Sequence, residues 1–174
     1  TKPEKSLTRE FSFEYNLLDN FAFKNVFYKG SVSDVLNRST STGGYNEVID
    51  INQEGLENEL VYKGKDQSLS IFTNFNKSRK TDGRGQSRRP DLNYGSTYMK
   101  KINHSEYGPF KMILDYKYTG KYIDYDGSAN SRQKSTDILD LSITKNLLGN
   151  KYFIKLSNFL NERYEKPATY SQDG

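Results

Sequence analysis

Few residues of this sequence are suited to enzyme chemistry. Its one histidine, His104, lies in a short Asn-His-Ser-Glu segment typical of a solvated turn, and the lack of cysteine excludes disulfides and thiolate metal sites. One cluster of carboxylates lies near a predicted loop, formed by Asp124, Asp126 and Asp137 around Tyr125. Such oxygen ligands could bind Ca²⁺, but the spacing lacks the EF-hand pattern, and a solvated outer loop is the stronger interpretation. We predict no catalytic residue, no metal site, no cofactor and no enzyme activity.

A strongly basic stretch, KSRKTDGRGQSRRP at 77–90, is the second candidate binding segment. Its six cations could hold lipopolysaccharide phosphates or an anionic ligand through charge-assisted hydrogen bonds. The alternative is a charged loop that only keeps the surface hydrated. A nucleic-acid partner is disfavoured because the loop has no aromatic side chain on which bases could stack. The candidate ligand-binding residues in this loop and the acidic cluster are Arg79, Arg84, Arg88, Arg89, Asp124, Tyr125 and Asp126.

Composition alone does not decide whether the chain is ordered or disordered. The chain of 174 residues has 33% hydrophobic residues and a mean hydropathy of −0.90, which by themselves would suggest disorder. It also has 14 Tyr and 10 Phe, whereas disordered chains are poor in aromatic residues. No apolar run approaches the ~20 residues of a membrane helix or the roughly 7–15 of a secretory signal. The net charge of +4 fits either a phosphate-bearing partner or a solvated surface.

The arrangement of residues along the chain is more informative. In FKMILDYKYTGKY, at 110–122, every second residue is apolar or aromatic and most of the others are charged. Alternation of this kind indicates a β-strand with two different surroundings. It recurs in eight segments, near residues 7–15, 21–29, 56–63, 69–76, 92–98, 110–122, 139–144 and 152–157. We expect an antiparallel all-β chain, with the facing of the second segment unclear because Asn25 interrupts its phenylalanines.

The connections between these segments alternate in length. Those after segments one, three, five and seven are short, whereas those after segments two, four and six are long and polar, at 31–45, 77–90 and 124–134. A soluble sandwich has no reason to keep its long loops at one end, but a transmembrane β-barrel has short periplasmic turns and longer extracellular loops. The segment lengths also suit spanning strands of ~9–11 residues. The pattern therefore favours a transmembrane barrel.

In such a barrel one side of each strand meets lipid and the other meets a watery lumen. The residues we expect on the lipid side include Phe110, Met112, Leu114, Tyr116, Tyr118, Leu139, Leu141 and Ile143. Tyr116, Tyr118 and Tyr122 would form part of the outer aromatic girdle, and Arg9, which has the apolar parity of its strand, is an exception. The expected lumen residues include Glu10, Glu14, Glu57, Glu59, Lys111, Asp115, Lys117 and Asp140.

Six short motifs resemble the C-terminal part of the barrel of TonB-dependent outer-membrane receptors. KPEKS at 2–6 resembles the family's K-P-E-x-S, and YKGSVSDVLN at 28–37 its Y-x-x-x-x-x-D-x-I/L strand end. The others, in the family's order, are NQEGLE at 52–57, RRP at 88–90, YTGKY at 118–122 and LSNFLNERY at 156–164, which is similar to N-L-F-x-x-x-Y. The spacing and the KPEKS motif are most similar to the cobalamin receptor branch, with siderophore receptors next.

The resemblance implies about eight consecutive strands of a barrel of about 22 strands, as an open fragment. Residues 1–174 would be the C-terminal portion of that barrel, without the plug domain and the last strand. The intact receptor would bind cobalamin or a ferric siderophore at the outer membrane of a Gram-negative bacterium and import it with energy from the TonB complex. Its partners would be TonB, through the missing plug region, the lipid bilayer, lipopolysaccharide and a metal chelate.

Two other functions remain open from the residues alone. One is a soluble all-β binding or adhesion module, in which Leu114, Tyr116 and Leu139 would pack in a dry core between two sheets. The other is a passive outer-membrane porin.

Overall fold

The computed structural model describes residues 2–38, 45–81, 83, 85–86, 88–125, 130–166 and 170–172. Their regular secondary structure is entirely β, and none of them forms a helix long and apolar enough to cross a membrane. The strands are β1 (Lys5–Leu18), β2 (Phe21–Arg38), β3 (Tyr45–Lys63), β4 (Gln67–Lys80), β5 (Leu92–His104), β6 (Gly108–Thr119), β7 (Tyr122–Tyr125), β8 (Asn130–Gln133), β9 (Thr136–Leu147), β10 (Asn150–Leu156), β11 (Tyr164–Lys166) and β12 (Tyr170–Gln172).

Eight of these strands form one antiparallel sheet in the order β1-β2-β3-β4-β5-β6-β9-β10. Each strand therefore pairs with its neighbours along the chain, except that the β7–β8 hairpin is inserted between β6 and β9. The short connections after β1, β3, β5 and β9 lie at one end of the sheet, and the long ones lie at the other. The all-β antiparallel architecture and its eight-stranded arrangement agree with the sequence prediction.

The structure extends several strands into predicted loops. Strands β2 and β3 have 18 and 19 residues, so the loop predicted at 31–45 is strand over much of its length. The predicted loop at 124–134 contains part of the β7–β8 hairpin, and β11 and β12 follow the last of the eight predicted segments. The period-two pattern missed these strands because apolar and polar residues do not alternate regularly along them.

The segment at 110–122 is not one continuous strand. Strand β6 ends at Thr119, and the backbone N–H of Gly120 donates to the carbonyl of Leu92, so the contact with β5 continues for one more residue. A Cβ at Gly120 would lie 2.5 Å from the same carbonyl oxygen, so this close approach favours glycine. The chain then leaves the large sheet, and Tyr122 begins β7.

The sheet has almost no core among the described residues. There, Ile51 is the one buried hydrophobic side chain, at 5% exposure, and Ser78 is the one buried polar side chain, at 2%. A sandwich would bury Leu114, Tyr116 and Leu139 between two layers, yet all three are only partly buried. The geometry therefore does not support the soluble-module alternative.

Candidate functional site

The strand register separates two surfaces of the large sheet. Residues directly opposite each other on neighbouring strands point to the same face. Leu114 is opposite Tyr98 of β5 and Leu141 of β9, so these three side chains share one face. We call this the apolar face, and it includes all eight residues expected on the lipid side: Phe110, Met112, Leu114, Tyr116, Tyr118, Leu139, Leu141 and Ile143.

The apolar face continues across the first four strands. Phe11, Phe27, Leu56 and Phe75 form one row in register from β1 to β4. Large side chains on this face are exposed, including Phe11 at 68% and Phe27 at 50%. Contiguous exposed apolar surface on this scale indicates contact with another apolar phase or partner.

Charged residues of the apolar face lie towards its two ends. Near the long connections, four residues align in register across β1 to β4, namely Arg9, Lys29, Glu54 and Lys77, and we call them the charged row. Towards the short connections the face carries Lys100 and Lys145. Arg9 is an exception in the sequence pattern of its own strand. In the sheet it is one of four charged residues that lie side by side on β1 to β4.

A hydrogen-bonded ladder of uncharged polar side chains crosses the middle of this face. Asn25 donates from Nδ2 to Oδ1 of Asn58, and Asn58 donates from its own Nδ2 to the hydroxyl of Thr73 at 3.0 Å. The register aligns these three residues on β2, β3 and β4. Asn25, whose side the sequence left open, therefore lies on the apolar face. There its amide is hydrogen-bonded to Asn58 of the neighbouring strand.

Aromatic side chains cluster towards the long-connection end of β5 and β6. The rings of Tyr94 and Tyr118 stack with centroids 4.5 Å apart, and the ring of Tyr116 lies 6.1 Å from that of Tyr94. The hydroxyl of Tyr116 donates to the carboxylate of Asp137. Asp137 thus accepts a hydrogen bond within the sheet, while the side chain of Asp124 and all of Asp126 lie outside the described parts.

The opposite surface, which we call the polar face, divides its charges between the two halves of the sheet. On β1 to β3 the acidic residues Glu10, Glu14, Glu57 and Glu59 outnumber Lys24 and Lys63. On β5, β6, β9 and β10 this face carries Asp115 and Asp140 against a larger number of basic residues, namely Lys101, Lys111, Lys117, Lys151 and Lys155. The sequence predicted charges on this side but not their separation, which depends on the strand order.

A cleft of about 320 Å³ lies at the acidic half and is lined in part by Lys24, Glu57, Glu59 and Phe72. Asn74, also in its lining, donates to Glu57 at 3.3 Å. Among the described residues, the buried Oδ1 atom of Asn74 has no hydrogen-bond partner. The cleft therefore offers both a carboxylate and an amide oxygen as acceptors.

Two aromatic rings on the polar face cover glycines of the adjacent strand. A Cβ at Gly55 would lie 2.6 Å from Cε1 of Tyr28, and one at Gly95 would lie 2.8 Å from Cε1 of Phe72. Only glycine leaves room for these rings. Such pairs fix the register of neighbouring strands.

The LSNFLNERY segment is anchored to β9. The carboxylate of Asp140 accepts the backbone N–H of Asn158 at 2.8 Å and pairs with Nζ of Lys155 at 2.9 Å. The backbone N–H of Phe159 donates to the carbonyl of Leu139 at 2.7 Å. Asn158 in turn accepts the backbone N–H of Glu162 through Oδ1. Asparagine at this motif position therefore organises the turn after β10.

The basic segment at 77–90 is partly ordered by its own contacts. The guanidinium of Arg79 donates to both carboxylate oxygens of Asp91, at 3.1 and 2.8 Å, so the candidate Arg79 is paired with the residue just before β5. The backbone N–H of Arg88 donates to the carbonyl of Ile123, which brings this segment against β7. Arg89 is exposed, and Arg84 and the side chain of Tyr125 lie outside the described parts.

His104 is the last residue of β5 and caps the turn that follows it. Its Nδ1 accepts the backbone N–H groups of Glu106 and Tyr107, at 3.2 and 3.3 Å, and its ring packs on that of Tyr107. Within the described residues, no group of three or more His, Asp or Glu is arranged to hold a metal ion.

Solved structures provide the decisive comparison. The ferric yersiniabactin uptake receptor FyuA of Yersinia pestis matches over 97% of this chain with a TM-score of 0.76 and 18% identity. The outer-membrane ferripyoverdine receptor of Pseudomonas aeruginosa matches over 94% with a TM-score of 0.75 and 12% identity. The chain has the fold of a segment of these outer-membrane β-barrels. The FrpB iron transporter of Neisseria meningitidis also matches, over the whole chain, with a TM-score of 0.74 and 15% identity.

The chain spans about a quarter of the length of its structural neighbours, covering 27% of FyuA, 24% of the ferripyoverdine receptor and 30% of FrpB. These neighbours are receptors and transporters rather than enzymes. No family model matches the sequence, and no curated protein matches it either. At 12–18% identity the likeness concerns the fold.

Proposed function

We propose that this chain is the C-terminal part of the barrel of an outer-membrane receptor that imports a ferric siderophore with energy from a TonB complex. The single observation that carries the proposal is the match of nearly the whole chain to the barrels of iron-uptake receptors. The six sequence motifs, in the family's order, support it independently. The whole receptor would also contain a plug domain and the strands that close the barrel.

In this proposal the apolar face lies against lipid and the polar face lines the lumen. The exposed Phe11, Phe27 and Phe75 would then contact acyl chains, and the charged residues of the apolar face would lie near the two membrane interfaces. The outer edges of β1 and β10 would pair with further strands, because an open sheet edge is not tolerated in lipid. The long connections would face the outside of the cell.

A ferric chelate is the ligand class that we propose. The named structural neighbours carry iron, and they give no support to the cobalamin branch suggested by KPEKS. The exposed Arg89 and the neighbouring Arg88 would meet an anionic chelate at the outer side. Arg79, which is paired with Asp91, would instead hold the base of this segment.

Uptake by the intact receptor tests the proposal. A strain that lacks its other iron receptors would carry the complete gene, the same gene with Arg88→Ala and Arg89→Ala, or no copy. We expect the intact gene to support uptake of iron-55 from siderophores, the loss of the TonB complex to stop it, and the double variant to raise the half-saturating concentration. Uptake that persists without TonB would contradict the proposal and indicate a passive pore.

A further inference from the structure

The charged row is a second surface feature with the geometry of a binding site. Arg9, Lys29, Glu54 and Lys77 lie in register on four consecutive strands of the apolar face. Neighbouring strands are ~4.8 Å apart, so the row extends over roughly 14 Å. It therefore presents a short line of charge at the edge of an apolar surface.

The positive charge of this row is only partly neutralised within the sheet. The carboxylate of Glu54 is shared between Nζ of Lys29, at 3.8 Å, and Nζ of Lys77, at 3.4 Å. Three cations against one carboxylate leave a net charge of +2. The side chains of Lys29 and Lys77 are 73% and 62% exposed, so both ammonium groups remain accessible.

An apolar row lies immediately beside the charged one. Phe11, Phe27, Leu56 and Phe75 are each two residues further along their strands, towards the short connections, and on the same face. A ligand that touched both rows would need an anionic group joined directly to hydrocarbon. A soluble anion fits only the first row, and an uncharged lipid fits only the second.

We propose that the two rows together bind one phosphorylated lipid of the outer leaflet, with its phosphates on Arg9, Lys29 and Lys77. Its acyl chains lie over the phenylalanines of the neighbouring row. This site rests on the proposed function, because only an outer-membrane barrel with its long loops outside presents the charged row to outer-leaflet headgroups. The charge complementarity and the continuity with the apolar face select a lipid over a protein partner.

The test uses the complete receptor, purified in detergent and titrated with lipid A carrying two phosphates, with the same lipid after dephosphorylation, and with inorganic phosphate. One variant combines Arg9→Gln, Lys29→Gln and Lys77→Gln. Its matched control, Lys100→Gln with Lys145→Gln, removes cations from the other end of the same face. A third variant, Glu54→Gln, removes the carboxylate of the row.

We expect the triple variant to bind phosphorylated lipid A at least about fivefold more weakly. That factor corresponds to the loss of the attraction between one Lys or Arg and an anionic membrane surface. The control should bind as the unmodified receptor does, and Glu54→Gln should bind more tightly. Dephosphorylated lipid should bind weakly and equally to all of them. Inorganic phosphate at the concentration of the lipid should not displace it.

Three results would overturn the site: equal affinity of the triple variant and the receptor, equal affinity for the two lipids, or displacement by inorganic phosphate. The heat-dependent gel mobility of each variant checks that its barrel has folded. Iron uptake is a separate readout. Failure of the lipid site alone leaves uptake intact, whereas failure of the proposed function abolishes uptake in the unmodified receptor whatever its lipid binding.

Discussion

Asn25 on β2 donates a hydrogen bond to Asn58 on β3 across the middle of the apolar face. The two amides have large apolar side chains on both sides along their own strands. Asn58 in turn donates a hydrogen bond to the hydroxyl of Thr73. An amide in lipid has no water with which to replace a lost partner. The ladder therefore makes two otherwise costly residues compatible with this face.

The first prediction concerns the coupling between these amides. A double-mutant cycle with Asn25→Ala and Asn58→Ala in the intact barrel should give an interaction free energy of about 0.5–1.5 kcal/mol, the scale of side-chain hydrogen bonds in membranes. Unfolding by urea from lipid vesicles measures it. Asn25→Ala with Ser96→Ala, a same-face residue on β5, should be additive to within about 0.5 kcal/mol. Equal coupling in both cycles would refute the ladder's contribution.

The second prediction distinguishes the two faces by one residue position. If the apolar face lies against lipid as proposed, Leu114→Lys should reduce the stability of the barrel in vesicles by about 2–4 kcal/mol, because a charge near the middle of the strand would then lie in lipid. Ile113→Lys, one residue earlier on the polar face, should cost less than about 1 kcal/mol. A comparable loss for both variants would mean that lipid does not cover the apolar face.

The third prediction tests the contact between Tyr28 and Gly55. Gly55→Ala should destabilise the barrel by about 1–3 kcal/mol, since the new Cβ would overlap the tyrosine ring. Adding Tyr28→Ala should recover part of that loss by making space. Gly85→Ala is the control, because its Cβ would approach only the flexible end of Arg79, at 3.7 Å. The contact is unimportant if the double variant is no more stable than Gly55→Ala alone.

The fourth prediction concerns the anchor of the turn after β10. Asp140→Ala removes the carboxylate that accepts the backbone N–H of Asn158. Hydrogen exchange at that amide should become at least about tenfold faster, because a hydrogen bond to a charged group contributes roughly 1.5–3 kcal/mol. Asp137→Ala is the control, as its partner Tyr116 lies on the other face. Unchanged exchange at Asn158 would exclude Asp140 as the anchor.

The sequence predicted the fold best where one strand face is uniformly apolar. On β6 and β9 the period of two was enough to identify the members of one face, from Phe110 to Ile143. It failed at Asn25, whose partner Asn58 is 33 residues away, so only the strand register brings the two amides together. It also failed for the ends of β2 and β3 near their connection, where apolar and polar residues do not alternate regularly.

The candidate site was less predictable than the fold. The basic residues at 77–90 were evident as a group, but the pairing of Arg79 with Asp91 was not, and the charged row was visible only as an unexplained Arg9. Members of the row on successive strands, from Arg9 to Lys77, are 20 to 25 positions apart along the chain. The charged row can therefore be recognised only when the strand register is known.

The unequal lengths of the strands have a consequence for motion. β1 pairs with β2 as far as Ser33, and β4 pairs with β3 as far as Ile51. From Val35 opposite Ile49 onwards, β2 and β3 pair only with each other. A two-stranded ribbon is marginally stable by itself. The parts of β2 and β3 that have neighbours on both sides should therefore open slowly, whereas the parts beyond them should fray and re-form quickly. The boundary between these parts is a few residues from Lys29 and Glu54.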